Sequence, residues 1–180
     1  CYSSLRRGLN LMRDSLKTET YRALAYTDTM TGLGNRAAFD RDAETMQRQG
    51  EIEQVALAVF DINGLKRVND TYGHTAGDEL IKSAAHCIKE AFSELGVCYR
   101  IGGDEFVVIL PDVSQNEANA AMQRLMECTS KVSAGNPEGL SVADGLAVGE
   151  SNEEDYIYQL FRQADKEMYE KKGKMRVKYR

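Results

Sequence analysis

The chain has 180 residues, 42% of them hydrophobic and 28% charged, which predicts a single globular domain with a buried core. The formal net charge of −5 argues against a nucleic-acid-binding module, which should present a basic face, but allows a polyphosphate substrate whose charge a divalent metal neutralises. Four scattered cysteines without a CxxC pair and only two histidines argue against a disulfide framework and a zinc site, and favour reduced, mostly buried thiols.

Residues 1–27 are helical in character. Leu5, Leu9, Met12 and Leu16 follow the 4-3-4 spacing of a short coiled-coil seam. The helix either lies on its own domain or reaches back to another domain and pairs with a second chain. Because no apolar run is long enough to span a bilayer and no signal peptide is visible, we expect a cytoplasmic protein. The start at Cys1 suggests a fragment, so a sensory domain or a tether to the inner membrane is expected upstream.

A loop and a helix come next, with Asn35 placed as the N-cap and Arg36 as the first helical residue. The nearly continuous apolar run QVALAVFDI predicts a central strand that ends at Asp61 and Ile62. The segment NGLKRVNDTYGHTAGD is polar and turn-rich, which favours a loop, and ELIKSAAHCIKEAFSEL predicts an amphipathic helix with Asp78 in its first turn.

Two short strands flank Gly102-Gly103, and they predict a tight hairpin. The chain continues with a helix in SQNEANAAMQRLMECTSKV, a strand in GLSVADGLAVGE, a helix in EEDYIYQLFRQADKEMYEKK and a suggested last strand in MRVKYR. Helices and strands alternate while one strand pair is a hairpin. The predicted class is therefore α+β, with a central mixed, largely antiparallel sheet flanked by helices.

Three carboxylates occupy positions that suit a metal site. Asp61 ends a buried strand, where an ionised side chain needs a cation or an N–H partner. Asp104 and Glu105 follow the Gly102-Gly103 turn, whose backbone lets a ligand approach closely. If the hairpin lies beside the Asp61 strand, these oxygens converge in the way Mg²⁺ prefers, with water and phosphate completing the coordination. A turn and a strand cap are the alternatives that spacing alone leaves open.

The segment between Asp61 and the next helix carries side chains suited to a nucleotide. Lys66 suits phosphate oxygens, while Asn69 and Asp78 suit the N1–H and N2–H₂ donors of guanine. His74 fits a loop hydrogen-bonding role better than that of a general base. Taken singly, each of these residues fits a solvated loop that caps the next helix better than a nucleotide site. Further on, Lys172 and Arg176 lie one helical turn apart and could face a triphosphate, although a basic tail is the simpler alternative.

Taken together, the motifs resemble those of GGDEF domains, the diguanylate cyclases that make cyclic di-GMP. RIGGDEF matches the family's signature, and DTMTGLGNR is similar to its entry motif, with Met30 in place of leucine. DINGLKRVNDTYGHTAGDELI and ADKEMYEKK resemble the central block and the closing helix, the latter with Glu167 in place of alanine. The resemblance runs from Asp28 to about Arg176. It implies a ferredoxin-like palm fold like that of nucleotidyl cyclases and polymerases, with residues 28–180 as the catalytic domain and 1–27 as a signalling helix.

The resemblance also implies a role for each matching residue. Metal binding, by Mg²⁺ or Mn²⁺, falls to Asp61, the Ile62 carbonyl and Asp104. Asp104 helps to deprotonate the attacking 3′-hydroxyl, with Glu105 as a second candidate. Binding of GTP falls to Lys66, Asn69, His74, Asp78, Gly102, Gly103, Lys172 and Arg176. Each protomer holds one GTP, so that a homodimer is needed for activity.

One departure concerns regulation. Many relatives carry an R-x-x-D product-inhibition site, and here Ser93 and Gly96 occupy its charged positions. We therefore expect feedback through that site to be absent or weak. Two other functions stay open: a catalytically inactive GGDEF module that binds GTP or only dimerises, and a cyclase that also accepts ATP. Asp78 argues against the latter, since adenine lacks the donor pair that it would bind.

Overall fold

The structure, a computed structural model, describes residues 24–49, 52–134, 139–150 and 155–178, without the side chains of residues 174–178. The described helices are α1 (Arg36–Gln49), α2 (Leu65–Tyr72), α3 (His74–Phe92), α4 (Gln115–Ala134) and α5 (Tyr156–Lys178). The described strands are β1 (Gln54–Ile62), β2 (Val97–Arg100), β3 (Glu105–Pro111) and β4 (Val142–Glu150). The coiled-coil prediction falls on residues 1–23 and lies outside the described residues.

The four strands form one sheet in the order β2-β3-β1-β4. All three strand pairings are antiparallel, and the mixed character expected from the sequence is limited to an isolated parallel bridge between Gly34 and Tyr99. β1 has the bounds that its apolar run predicts. It pairs with β3 on one side and β4 on the other, and its side chains are buried on both faces of the sheet, as is typical of a central strand. The α+β prediction is confirmed.

Two apolar layers cover the sheet. One face of β1, made of Ala56, Ala58, Phe60 and Ile62, packs against buried residues of α3 and α4. The opposite face, made of Val55, Leu57 and Val59, packs against buried residues of α1 and α5. Because side chains alternate along a strand, Asp61 continues this second face, on the side where α5 lies. The sheet thereby directs Asp61 toward α5.

Two local expectations are wrong. The segment that reads as a polar loop contains α2, and α3 begins at His74, which puts Asp78 beyond the first helical turn. Gly73, with a φ of 86°, separates the two helices, and Val68 is the buried residue of α2. The segment MRVKYR does not begin a last strand, because α5 continues to Lys178.

The expectation of unpaired thiols is also wrong for two cysteines. Cys87 of α3 and Cys128 of α4 form a disulfide with a Cα–Cα distance of 5.5 Å and a sequence separation of 41. The two helices pack side by side, which brings together cysteines whose spacing along the chain carries no pairing signal. Cys98 is free and buried, and burial raises the pKa of its thiol to about 12. In the part of the chain that the structure describes, no helix has the length and apolar character of a membrane span.

Candidate functional site

Asp61 lies at the end of β1 and is only 7% exposed. Its Oδ1 accepts a hydrogen bond from Nζ of Lys172 on α5, with the two atoms 2.5 Å apart. A buried carboxylate is costly without a compensating partner, and the lysine supplies opposite charge and a donor together. The strand therefore positions the acid, while the helix that packs on the same face positions its counter-charge.

The Gly102-Gly103 turn joins β2 to β3. The N–H groups of Ile101 and Gly102 both donate to the Glu105 carbonyl, at 3.0 and 3.4 Å. A Cβ on Gly102 would lie 2.7 Å from Oε2 of Glu105, so a side chain there would displace the Glu105 carboxylate. Nη2 of Arg100 donates to the Gly103 carbonyl at 2.8 Å, which closes the turn from the strand side.

Arg100 also connects this turn to the loop before α1. Its Nη1 lies 3.3 Å from Oδ1 of Asp28, and the Arg100 side chain is only 12% exposed. Asp28 in turn accepts hydrogen bonds from the main-chain N–H and the hydroxyl of Thr31. Both residues belong to the quoted motifs, but sequence reasoning assigned them no role. An arginine two residues before a glycine turn, with an acid in a separate polar loop, was the available signal.

The structure brings the turn and the Asp61 strand together. Asp61 is directly opposite Glu105 in the antiparallel register of β1 and β3. The Ile62 N–H donates to the Asp104 carbonyl at 3.0 Å, which holds the end of β1 against the residue that follows the glycine pair. The register thus places Asp61, Asp104 and Glu105 together at the paired ends of β1 and β3, and the metal hypothesis depends on this placement.

Glu105, at the paired ends of β1 and β3, is partly buried and has several negatively charged neighbours. Partial burial raises the pKa of Glu105, and the nearby charges of Asp104, Asp61 and Asp165 raise it further, while Lys172 acts in the opposite direction. Asp165 was not predicted from the sequence. It precedes Lys172 by seven residues on α5, so both lie on nearly the same helical face, and this spacing was the missed signal.

The candidate nucleotide-binding residues lie on α2 and α3. The side chain of Asn69 on α2 lies against Gly77 of α3, so closely that a Cβ there would meet Asn69 Oδ1 at 2.0 Å. This contact brings Asn69 next to Asp78, and both side chains are half-buried. His74 and Lys66 are exposed. Arg176 lies in the last part of α5, where side chains are not described.

The donor set suits a hard divalent cation. The carboxylates of Asp61 and Asp104 and the Ile62 carbonyl could supply oxygen ligands. Burial first, and then the neighbouring acids, raise the pKa of Glu105, while Lys172 acts in the opposite direction. Over the residues that the structure covers, no group of three or more histidine, cysteine or acidic side chains is placed so that it could hold a metal ion. Mg²⁺ usually keeps several of its waters and takes further ligands from substrate phosphates, so that one or two protein carboxylates can be enough to bind it.

Comparisons with known proteins agree with this geometry. A family model described as "Diguanylate cyclase, GGDEF domain" matches residues 25–178. Diguanylate cyclase DgcS of Shewanella oneidensis is 33% identical over 158 residues, which cover 87% of this chain and 52% of DgcS. Diguanylate cyclase DgcP of Pseudomonas aeruginosa is 33% identical over 159 residues, covering 86% of this chain and 23% of DgcP.

A solved structure extends the likeness to the fold. The coiled coil and GGDEF domain of DgcB from Caulobacter crescentus, in complex with c-di-GMP, superposes with a TM-score of 0.76 at 27% identity. The superposition covers 92% of this chain and 90% of that one. The curated relatives are longer, since this chain spans about half of DgcS and less than a quarter of DgcP.

Proposed function

Because the chain belongs to the GGDEF domain family, we propose that it is a diguanylate cyclase that condenses two GTP molecules into cyclic di-GMP and two pyrophosphates. The observation that carries the proposal is the convergence of Asp61, Asp104 and Glu105 at the joined ends of β1 and β3. Each new bond forms between a 3′-oxygen and an α-phosphorus, while the bond from that phosphorus to the pyrophosphate oxygen breaks. A protein that catalyses this step must hold phosphate charge and accept a proton.

The carboxylates and the lysine divide this work. Asp61, Asp104 and the Ile62 carbonyl would hold Mg²⁺ or Mn²⁺, which when bound would offset phosphate charge and favour ionisation of the attacking hydroxyl. Asp104 is proposed to help remove the hydroxyl proton, with Glu105 as a second acceptor whose raised pKa suits proton uptake. Lys172 would exchange its bond with Asp61 for contacts to the β- and γ-phosphates, with Lys66 and Arg176 as further phosphate ligands.

Guanine recognition is proposed for the α2–α3 pair. Asn69 and Asp78 are half-buried neighbours, an environment that strengthens hydrogen bonds to the edge of a base. An Asp78 carboxylate accepts from the N1–H and N2–H₂ groups of guanine, whereas adenine lacks this pair of adjacent donors. His74 at the start of α3, and the Gly102-Gly103 turn with its close backbone approach, would complete the pocket for GTP.

The reaction needs two copies of the chain. One site holds one GTP, and each 3′-hydroxyl must attack the α-phosphate of the other nucleotide, so the two sites face each other across a homodimer. Residues 1–27 are proposed to set that arrangement, in keeping with the coiled coil present in the DgcB structure. The greater length of the relatives supports an upstream sensory region that controls the dimer.

The test is to incubate a dimeric preparation with GTP and Mg²⁺ and to measure cyclic di-GMP by liquid chromatography and mass spectrometry. Asp104→Asn is expected to abolish product while the domain stays folded. Asp112→Asn is a matched control, because it makes the same change at the opposite end of β3, where a φ of 53° suits asparagine as well as aspartate. Bound GTP without any product would instead favour an inactive GTP-binding module.

Base selectivity has its own test. Asp78→Ser should lower the preference for GTP over ATP in competition binding, because serine lacks the negative charge and the second oxygen with which a carboxylate pairs with both guanine donors. Unchanged selectivity in this variant would remove Asp78 from the guanine pocket.

A further inference from the structure

β4 is an edge strand of the described sheet, and part of its outer edge is covered by a side chain. Oε2 of Glu167, on α5, accepts a hydrogen bond from the Leu146 N–H at 3.1 Å. The other edge of β4 pairs with β1, so this bond satisfies a main-chain donor for which the described sheet offers no strand. Alanine, which the family pattern has at this position, could not accept that bond.

Lys171 connects the same carboxylate to a second point on β4. Its Nζ lies 2.9 Å from Oε1 of Glu167 and 2.6 Å from Oδ2 of Asp144, whose side chain is only 15% exposed. Burial alone would raise the pKa of Glu167, but the hydrogen bonds from Lys171 and Leu146 lower it overall. We call Asp144, Leu146, Glu167 and Lys171 the β4 clamp.

The clamp acts where the helix and the strand almost touch. A Cβ on Gly145 would lie 1.9 Å from the Ala164 carbonyl oxygen, so the two backbones are already at their closest approach. This close approach fixes the distance between α5 and β4. It does not stop the helix from rotating or sliding along the strand, and only side-chain contacts can restrict those motions. Glu167 and Lys171, one turn apart, contact Leu146 and Asp144, which flank Gly145 on the strand, and so restrict both motions.

Lys172 directly follows Lys171 of the clamp along α5, and its Nζ contacts Asp61. We propose that Glu167 is a positioning residue, which through the β4 clamp holds α5 in the register that directs Lys172 to the site at Asp61. The part of this inference that concerns substrate rests on the proposed function, in which Lys172 binds the phosphates of GTP. The position of Lys172 in the nucleotide-free protein does not depend on that function.

The first measurement uses the nucleotide-free dimer. The NMR signal of the Lys172 side-chain amino group, assigned by its loss in Lys172→Arg, should shift or broaden in Glu167→Ala. Glu170→Ala is the matched control, because it removes an exposed acid from the same helix. A Lys172 signal that is identical in Glu167→Ala and the control would overturn the inference, whether or not the protein makes cyclic di-GMP.

The second measurement is GTP affinity, arranged as a double-mutant cycle. Glu167→Ala should weaken binding about three- to tenfold, the size expected from the loss of one or two hydrogen bonds, and it should raise KM more than it lowers kcat. Glu167→Gln keeps an acceptor for Leu146 and should recover part of the loss. In a Lys172→Ala background Glu167→Ala should have no further effect. A loss of melting temperature with unchanged KM, or an additive cycle, would reduce Glu167 to a structural residue.

Discussion

Gly77 makes the contact between α2 and α3 unusually sensitive to one added methyl group. A Cβ at this position would lie 2.0 Å from Asn69 Oδ1, 2.8 Å from its Cγ and 3.2 Å from its Nδ2. All three nearest atoms belong to one half-buried side chain at the surface, so rotation of Asn69 relieves the overlap. Gly77→Ala should therefore expel the Asn69 side chain from its position and leave the backbone of both helices in place.

Gly77→Ala should change the stability of the domain little and its affinity for GTP more. Alanine in a helix gains roughly 0.5–1 kcal/mol over glycine, while overpacking of a closely packed position costs about 1–3 kcal/mol. Since Asn69 can turn away, the cost falls at the low end, and the free energy of unfolding should change by about 1 kcal/mol or less. Loss of the hydrogen bonds that Asn69 is proposed to make with guanine should cost about 1–2 kcal/mol, a weakening of GTP binding of about five- to thirtyfold.

The assay pairs calorimetric titration of a non-hydrolysable GTP analogue with thermal unfolding of the same samples. Gly173→Ala is the control for helix propensity, because no atom lies within 4 Å of a Cβ built there. In an Asn69→Ala background, Gly77→Ala should not weaken binding further. The reasoning is refuted if Gly77→Ala binds as tightly as the parent protein, or if binding and melting temperature fall together by an amount that indicates unfolding.

Three further outcomes follow from the described contacts. Opening the α3–α4 disulfide, by reductant or by Cys128→Ser, should lower the free energy of unfolding by up to about 4 kcal/mol, which is the loop-entropy value for a separation of 41 residues. Denaturant unfolding curves that are the same with and without reductant would contradict the crosslink. The fold raises the pKa of Glu105, so the native state binds its proton more tightly than the unfolded chain, and stability falls as pH rises from the ordinary value of 4.5 toward the raised one. Glu105→Gln should remove that fall in melts recorded across pH, whereas an unchanged slope would argue against the crowding of charge. Added cyclic di-GMP should not slow initial turnover through the surface of Ser93 and Gly96. Gly96→Asp should destabilise the fold and not restore inhibition, because a Cβ at this position would lie 2.0 Å from the Ile109 carbonyl oxygen.

Elements with strong local signals were predictable from the sequence. β1 was predicted with its observed bounds, because an apolar run that ends in an acid is typical of a strand buried on both faces. Asn35 was predicted as an N-cap, and its Oδ1 accepts from the Ala38 N–H at 3.0 Å. In each case the decisive information lies within a few neighbouring residues.

Elements that depend on distant contacts were not predictable in the same way. α2 is short and largely polar, with Val68 as its buried residue, so its stability comes from packing against α3 and not from its own pattern. The alternating residues of MRVKYR fit a strand equally well, but α5 continues through them to Lys178. The Cys87–Cys128 pairing depends on how α3 meets α4, which no spacing along the chain records.

The candidate site likewise contains residues whose placement the sequence predicts and a contact that it does not predict. Asp61, Asp104 and Glu105 could be predicted to converge, because each lies where a recognisable strand or turn ends, and strand pairing then brings them together. The contact of Lys172 with Asp61 could not, because it depends on how closely α5 approaches β4, a distance set by the missing side chain of Gly145. A carboxylate that is 7% exposed needs a cation or a hydrogen-bond donor as its partner, and in the nucleotide-free structure Lys172 supplies both. The helix that supplies this partner is therefore as much a part of the candidate site as the glycine turn, although its motif in the sequence does not show that Lys172 reaches Asp61.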